Sequence, residues 1–282
     1  MEPTDGPRPA TLAELGDPIG LGRTAEVFAR GEGEVVKLLR PGVPDGLGEL
    51  EARVAALVGG ANVAAPRFLG TTRIEGRMGL LYERLVGPSM LDYLARRVWE
   101  IDRQARQFAA LHAAMHAANG SGLPEQKVEL RWMIERAGAL LPAHARQLVL
   151  ERLDALPSGG AICHGDMHPG NVLLTPRGAV VIDWPTASCG NPAGDIARTL
   201  FLLRQSGVPT SLPWAQRSLI ALARRRFGSV YLRQYQHLRP LDPRDVAAWR
   251  LPVLAARLGE AIEAERTALQ RLIQREVESG AD

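Results

Sequence analysis

The sequence predicts an α+β chain in two lobes. A small antiparallel sheet with one main helix occupies residues 1–86, after a loose tail over 1–10, and a larger, mostly helical lobe occupies 87–282. Two textures carry that prediction. Up to Val86 the chain runs in short β-rich stretches punctuated by glycine. Past Gly87-Pro88 the apolar residues switch to helical spacing, broken once by a strand–loop–strand insert over 161–183.

In the first lobe, Gly16-Asp-Pro-Ile-Gly20-Leu-Gly22-Arg-Thr-Ala25-Glu-Val27-Phe28 places a glycine turn between strand formers. Gly31-Glu-Gly33 signals a hairpin, and Glu34-Val-Val36-Lys37-Leu-Leu39 follows as a third strand. Leu47, Leu50, Val54, Leu57 and Val58 space a helix over 48–58. Two more strands, over 67–73 and 78–85, flank a turn at Glu75-Gly76-Arg77, giving the order β-β-β-α-β-β. In the second lobe helices are expected over 89–97, 100–118 and 130–156, strands over 171–175 and 179–182, and helices again over 195–205, 214–238 and from Asp242 onward. Asp242 with Pro243 reads as an N-cap and first-turn pair. The last helix carries Leu254, Leu258, Ile262, Leu269 and Ile273 on one stripe and ends in a polar tail.

Composition narrows the function classes. Apolar residues at 46% and charged residues at 23% are ordinary for a chain that buries a core, which excludes wholesale disorder. No apolar run reaches the roughly 18 residues of a membrane span. The first ten residues lack the apolar core of a signal peptide, so a cytoplasmic location is expected, and two cysteines, Cys163 and Cys189, make no disulfide framework and read as buried thiols. A net charge of +3 and 14 aromatic residues, with no basic stripe interleaved with stacking rings, argue against nucleic acid and membrane partners. Of 34 basic residues 32 are Arg, so Lys37 and Lys127 stand out against the bias.

The densest chemistry lies in Ile162-Cys-His164-Gly-Asp166-Met-His168-Pro-Gly170-Asn171-Val-Leu-Leu174. Asp166 precedes Asn171 by five positions on a loop that feeds a strand. Twelve residues past Asn171, Val180-Val-Ile-Asp183-Trp184 ends a second strand on an acid. A hairpin of that length brings Asn171 and Asp183 together beside the loop of Asp166. This is the protein-kinase pattern, in which a loop Asp orients a hydroxyl while an Asn and an Asp ligate Mg2+. Magnesium suits such a set because it prefers oxygen donors and few protein ligands.

With the later Gly190-Asn-Pro-Ala-Gly-Asp195, these segments resemble the aminoglycoside phosphotransferase and choline kinase-like family, over Gly20 to Asp195 in order. The resemblance implies a bilobal protein-kinase-like fold and transfer of the ATP γ-phosphoryl group to a small-molecule hydroxyl with Mg2+. It makes Asp166 the catalytic Asp and Asn171 and Asp183 the metal ligands. It makes Asp195 an acid bracing the catalytic loop; alone, Asp195 also reads as the cap of the next helix. On the nucleotide side, Gly20-x-Gly22 lets backbone N–H groups approach phosphates, with Ala25 where a third glycine is usual. Lys37 would touch phosphates and a carboxylate, which a compact ammonium does better than a guanidinium. Its partner is Glu49 or Glu51, with Glu51 the closer match in context. The resemblance also puts the adenine on the main chain of Glu83 and Leu85, with Tyr82 as gatekeeper, although the same residue reads equally as a packing aromatic.

Two competing readings differ in class. His164-x-Asp166-x-His168, with His112 and His116 four apart, resembles a zinc set, although the Glu of the zincin motif is missing and Asn171 and Asp183 go unexplained. A pseudokinase-like nucleotide-binding regulatory module would share the fold, yet every expected catalytic position is filled. Only eleven residues separate Asp183 from Asp195, too few for a peptide-docking segment, which argues against a protein substrate. The charge balance is −2 over 1–86, 0 over 87–183 and +5 over 184–282. The positive excess therefore falls where the resemblance places the acceptor, and it disfavours polycationic aminoglycosides.

Overall fold

The structure, a computed structural model, describes residues 11–205 and 213–278. The expected tails at either end lie outside the described residues. Two compact units emerge, one comprising residues up to Gly87 together with Leu173–Pro185, the other Pro88–Val172 and the chain from Thr186 onward.

The first unit opens with a short helix absent from the sequence reading, α1 (Leu12–Leu15). There follow β1 (Gly20–Leu21), β2 (Ala25–Arg30), β3 (Glu34–Leu39), α2 (Asp45–Gly60), β4 (Phe68–Ile74) and β5 (Arg77–Glu83). The five strands form one sheet in the order β1-β2-β3-β5-β4, with every pair antiparallel. Side chains alternate across the central β3. Val36 and Leu38 enter a core with Leu15, Phe28, Ile74 and Leu81. Lys37 and Leu39 face α2, where Leu39 joins Ala25 and Met78 and a Cβ on Gly48 would lie 2.7 Å from the Met78 sulfur.

Two further strands, β7 (Val172–Thr175) and β8 (Gly178–Val181), pair with each other, and the Val181 N–H donates to the Ala64 carbonyl at 2.8 Å. Gly87 passes so close to this hairpin that a Cβ there would sit 2.0 Å from the Leu174 carbonyl oxygen.

The second unit holds α3 (Met90–Arg96), α4 (Ile101–Met115), α5 (Gln126–Arg136), α6 (Ala143–Ala155), the strands β6 (Ala161–Cys163) and β9 (Ser188–Gly190), then α7 (Pro192–Gln205), α8 (Trp214–Leu238), α9 (Pro243–Ala248), α10 (Arg250–Gly259) and α11 (Glu263–Glu278). Helices α4 and α8 pack through Phe108, whose ring centroid lies 5.4 Å from Phe227 and 5.3 Å from Tyr231. Helix α10 is buried along its length, and Gly259 at its end leaves room for the Met133 carbonyl, 1.9 Å from where a Cβ would stand. Among the described residues no helix is long and apolar enough to cross a membrane.

Several boundaries depart from expectation. The helix expected over 130–156 is two, because Gly138 turns the chain at φ 53° and Pro142 caps α6. The stripe from Leu254 to Ile273 is likewise split, with Ala261 at φ 55° between α10 and α11. Strands β6 and β9, three residues each, are too short to show a period in the sequence. Asp242 does cap α9, accepting from the Arg244 N–H at 2.8 Å. Cys163 is buried as expected, whereas Cys189 is only half-buried.

Candidate active site

In the first unit, Lys37 stands mid-strand between β2 and β5, opposite Val27 and Leu80. Its Nζ donates to Glu51 Oε1 and to Asp183 Oδ1, both at 2.7 Å. Glu51 is buried on α2, whereas Glu49, two residues away and so on the opposite side of the helix, is exposed. Burial alone would push the ammonium pKa down, but the two carboxylates outweigh it and hold it above its ordinary value. The Tyr82 hydroxyl lies 3.4 Å from the same Glu51 oxygen, and its ring packs against Phe68.

Asp183 takes a left-handed backbone, φ 65°, two residues past β8. Non-glycine residues rarely adopt that region outside sites where the surroundings over-determine it. Here buried Trp184 ties the turn down, its indole N–H donating to the Val181 carbonyl at 2.9 Å. The Gly22 N–H closes onto the Ala25 carbonyl at 2.9 Å, and Arg40 Nε holds the Gly22 carbonyl at 2.9 Å, so the glycine turn has a defined shape. The Glu83 carboxylate accepts from the Arg67 N–H and from Arg177, so its side chain serves the fold; Leu85 follows just beyond β5.

In the second unit, β6 leads into a loop hung on one buried carboxylate. Asp195 accepts from the His164 N–H at 2.6 Å and the Gly165 N–H at 2.9 Å. Gly165 is required there: φ is 76°, and a Cβ would lie 2.7 Å from the Thr186 carbonyl oxygen. The Asp166 N–H reaches His164 Nδ1 at 3.2 Å, and His168 Nδ1 accepts from the Gly170 N–H at 3.0 Å, fixing the turn that carries Asn171. Asn171 Nδ2 donates to the Asp166 main-chain carbonyl at 3.0 Å and lies 3.4 Å from its carboxylate. The Asp166 side chain is 30% exposed, so it remains reachable.

Residues 16–227 match the phosphotransferase enzyme family. The chain belongs to that family. Its fold is that of a type VIII aminoglycoside-3'-phosphotransferase, at 19% identity and a TM-score of 0.57, over 86% of this chain and 92% of that one. A streptomycin–ATP complex of APH(2")-IIa matches at 15% identity and TM-score 0.57, over 92% and 90% of the two chains. A macrolide 2'-phosphotransferase from Brachybacterium faecium matches at 21% identity and TM-score 0.52, over 90% and 89%. No curated protein sequence matches this chain.

In this phosphotransferase the four histidines of the competing zinc reading fall into two separate sets of contacts. His112 and His116 bring their Nε2 atoms to Asp195 Oδ2 at 3.1 and 3.2 Å, while their Nδ1 atoms meet the Tyr231 and Tyr235 hydroxyls at 2.8 and 2.7 Å. Three possible ligand atoms thus lie within 4.8 Å, but every one is already hydrogen-bonded and fully buried. His164 and His168 belong to the loop instead. Asp195 sits inside the first turn of α7 rather than at its cap. Burial opposes its charge, yet the two imidazoles hold its pKa well below the ordinary carboxylate value.

Burial, followed by neighbouring His112, lowers the His116 pKa to about 4, with Asp195 opposing the shift and Arg239 adding to it. The unfolded chain therefore takes up a proton below about pH 6.5 that the folded one refuses until about 4. Stability should fall as pH drops through that window, by at most about 3 kcal/mol from this group. Urea unfolding of wild type and His116→Gln between pH 7.5 and 4.5 checks this: the slope should be shallower by about one proton in the variant, and equal slopes would refute it.

Other partners had no local signal in the sequence. Arg198 on α7 donates Nε to the Gly165 carbonyl at 3.1 Å, places Nη2 3.9 Å from Asp166 Oδ1, and pairs with Glu260. Lys127, the other lysine of the chain, donates to the Asp154 and Leu156 carbonyls at 3.0 and 2.7 Å and caps the end of α6.

Proposed function

We propose that this phosphotransferase moves the γ-phosphoryl group of ATP to a hydroxyl of a small molecule. The observation that carries the reading is Lys37, a half-buried ammonium bonded at 2.7 Å both to a helix acid and to the acid beyond a strand end that the family pattern gives to the metal. Lys37 and the Gly20–Gly22 turn bind the phosphates, Glu51 orients Lys37, and the main chain at Glu83 and Leu85 takes the adenine. Asp166 orients the acceptor hydroxyl and receives its proton late, as suits a loose transition state in which positioning dominates.

The donor set fits Mg2+. Asn171 commits its amide nitrogen to Asp166, which leaves its oxygen as the donor, and Asp183 offers a carboxylate that is 45% exposed. When bound, the ion would neutralise charge on the phosphates.

The acceptor is a neutral or anionic compound rather than a polycationic aminoglycoside. Between residues 196 and 241 stand eight arginines and no acid. A field of that sign repels polycations. Steady-state assays of phosphate transfer to kanamycin, streptomycin and gentamicin beside neutral sugars, macrolides and hydroxy acids test both statements. Transfer to neutral or anionic acceptors is expected. A kcat/KM of about 10⁵ M⁻¹s⁻¹ or more on an aminoglycoside, well inside the usual enzyme range, would overturn the acceptor assignment. Tight Mg-ATP binding with no turnover on any acceptor would instead favour a regulatory module.

A further inference from the structure

A chain of charges runs from the catalytic loop into the last helices, wholly within the second unit. Arg198, 9% exposed, holds the Gly165 carbonyl through Nε and turns Nη2 toward Asp166 and Glu260. The other oxygen of Glu260 accepts from Arg257 Nη1 at 2.5 Å. Arg257 spends its remaining fork on both oxygens of Glu265, at 2.7 and 2.9 Å. Its ring neighbour is Phe201, 6.0 Å from the guanidinium carbon. The two acids reached from Asp166 through these contacts are thus each bound to guanidinium groups of the protein itself.

A carboxylate already in charge-assisted bonds has little left to offer an incoming ammonium, because those bonds are the strong ones. A guanidinium 3.9 Å from Asp166 also repels any cation placed beside the reacting hydroxyl. We propose that Arg198 and Arg257 are specificity-determining residues: they fill from within the place an ammonium group would take on Glu260, and so restrict acceptors to those whose reacting hydroxyl is flanked by neutral or anionic groups. The proposal rests on Asp166 being where the acceptor hydroxyl binds. It names the side chains responsible, where net charge named only a region.

Calorimetric titration of kanamycin, trehalose and D-gluconate into the whole protein at low salt tests it. Arg198→Gln should tighten kanamycin at least tenfold, leave trehalose within about twofold, and weaken gluconate. Arg198→Lys should keep the wild-type order, and Arg198→Gln with Glu260→Gln should lose most of the gain, since the released acid is then gone and only the relief of repulsion remains. The gain should shrink as salt rises to 0.5 M. If Arg198→Gln does not fold, Arg257→Gln, one contact further from the loop, should show a shift of the same sign. Kanamycin binding as tight in wild type as in the variants, or no gain in any folded variant, overturns the proposal. A gain in kanamycin affinity with no phosphoryl transfer to any acceptor supports it, and counts against the kinase reading alone.

Discussion

Asp166→Asn is expected to abolish phosphoryl transfer while leaving Mg-ATP affinity within a few-fold. The substitution keeps shape and removes charge. Loop geometry depends on Asp195, His164 and the main-chain carbonyl at 166, to which Asn171 donates at 3.0 Å, and none of these needs the Asp166 carboxylate. What goes is the group that accepts the hydroxyl proton, a contribution of roughly 10²–10⁴ in rate for a positioned base. Single-turnover transfer and nucleotide titration on the same preparation separate the two effects. Turnover near the wild-type rate would sink the mechanism.

Lys37→Ala should lower kcat/KM by about 10² or more, the scale of one lost electrostatic contact to the transition state. It also strands the buried Glu51 carboxylate without its cation, so melting must be measured beside kinetics. Lys127 supplies the contrast. Because it caps α6, Lys127→Ala should leave kcat/KM unchanged and cost about 1–2 kcal/mol of stability in urea unfolding, the usual scale for lost hydrogen bonds to carbonyls. Equal catalytic losses from the two lysines would mean that the nucleotide site lies elsewhere.

Much of this was legible because the chemistry is local. Asp166, Asn171 and Asp183 fall within eighteen residues on a loop and a hairpin, and Lys37 interrupts an apolar strand in a chain that otherwise uses arginine. The choice between Glu49 and Glu51 needed only the sheet and α2, which bring Glu51 alone to Lys37. Other features depend on encounters no window contains. His112 and Tyr231 meet across 119 positions, and Arg198 and Glu260 across 62. Helix ends failed for a different reason. Ala-, Leu- and Arg-rich sequence keeps its helical look through Gly138 and Ala261, where a left-handed backbone interrupts the helices.

The first unit is not one stretch of chain: Leu173–Pro185 joins residues up to Gly87 only after the whole of the second unit's first segment has been made. Lys37 and Glu51 therefore leave the ribosome 132 residues ahead of Asp183. At about 5–20 residues per second that is a delay on the order of ten seconds. Until the β7–β8 hairpin has been made, Glu51 is the only one of these two acids that Lys37 can meet. A chain ending at Gly87 contains Lys37 and Glu51 but lacks the acid that the finished protein sets beside them.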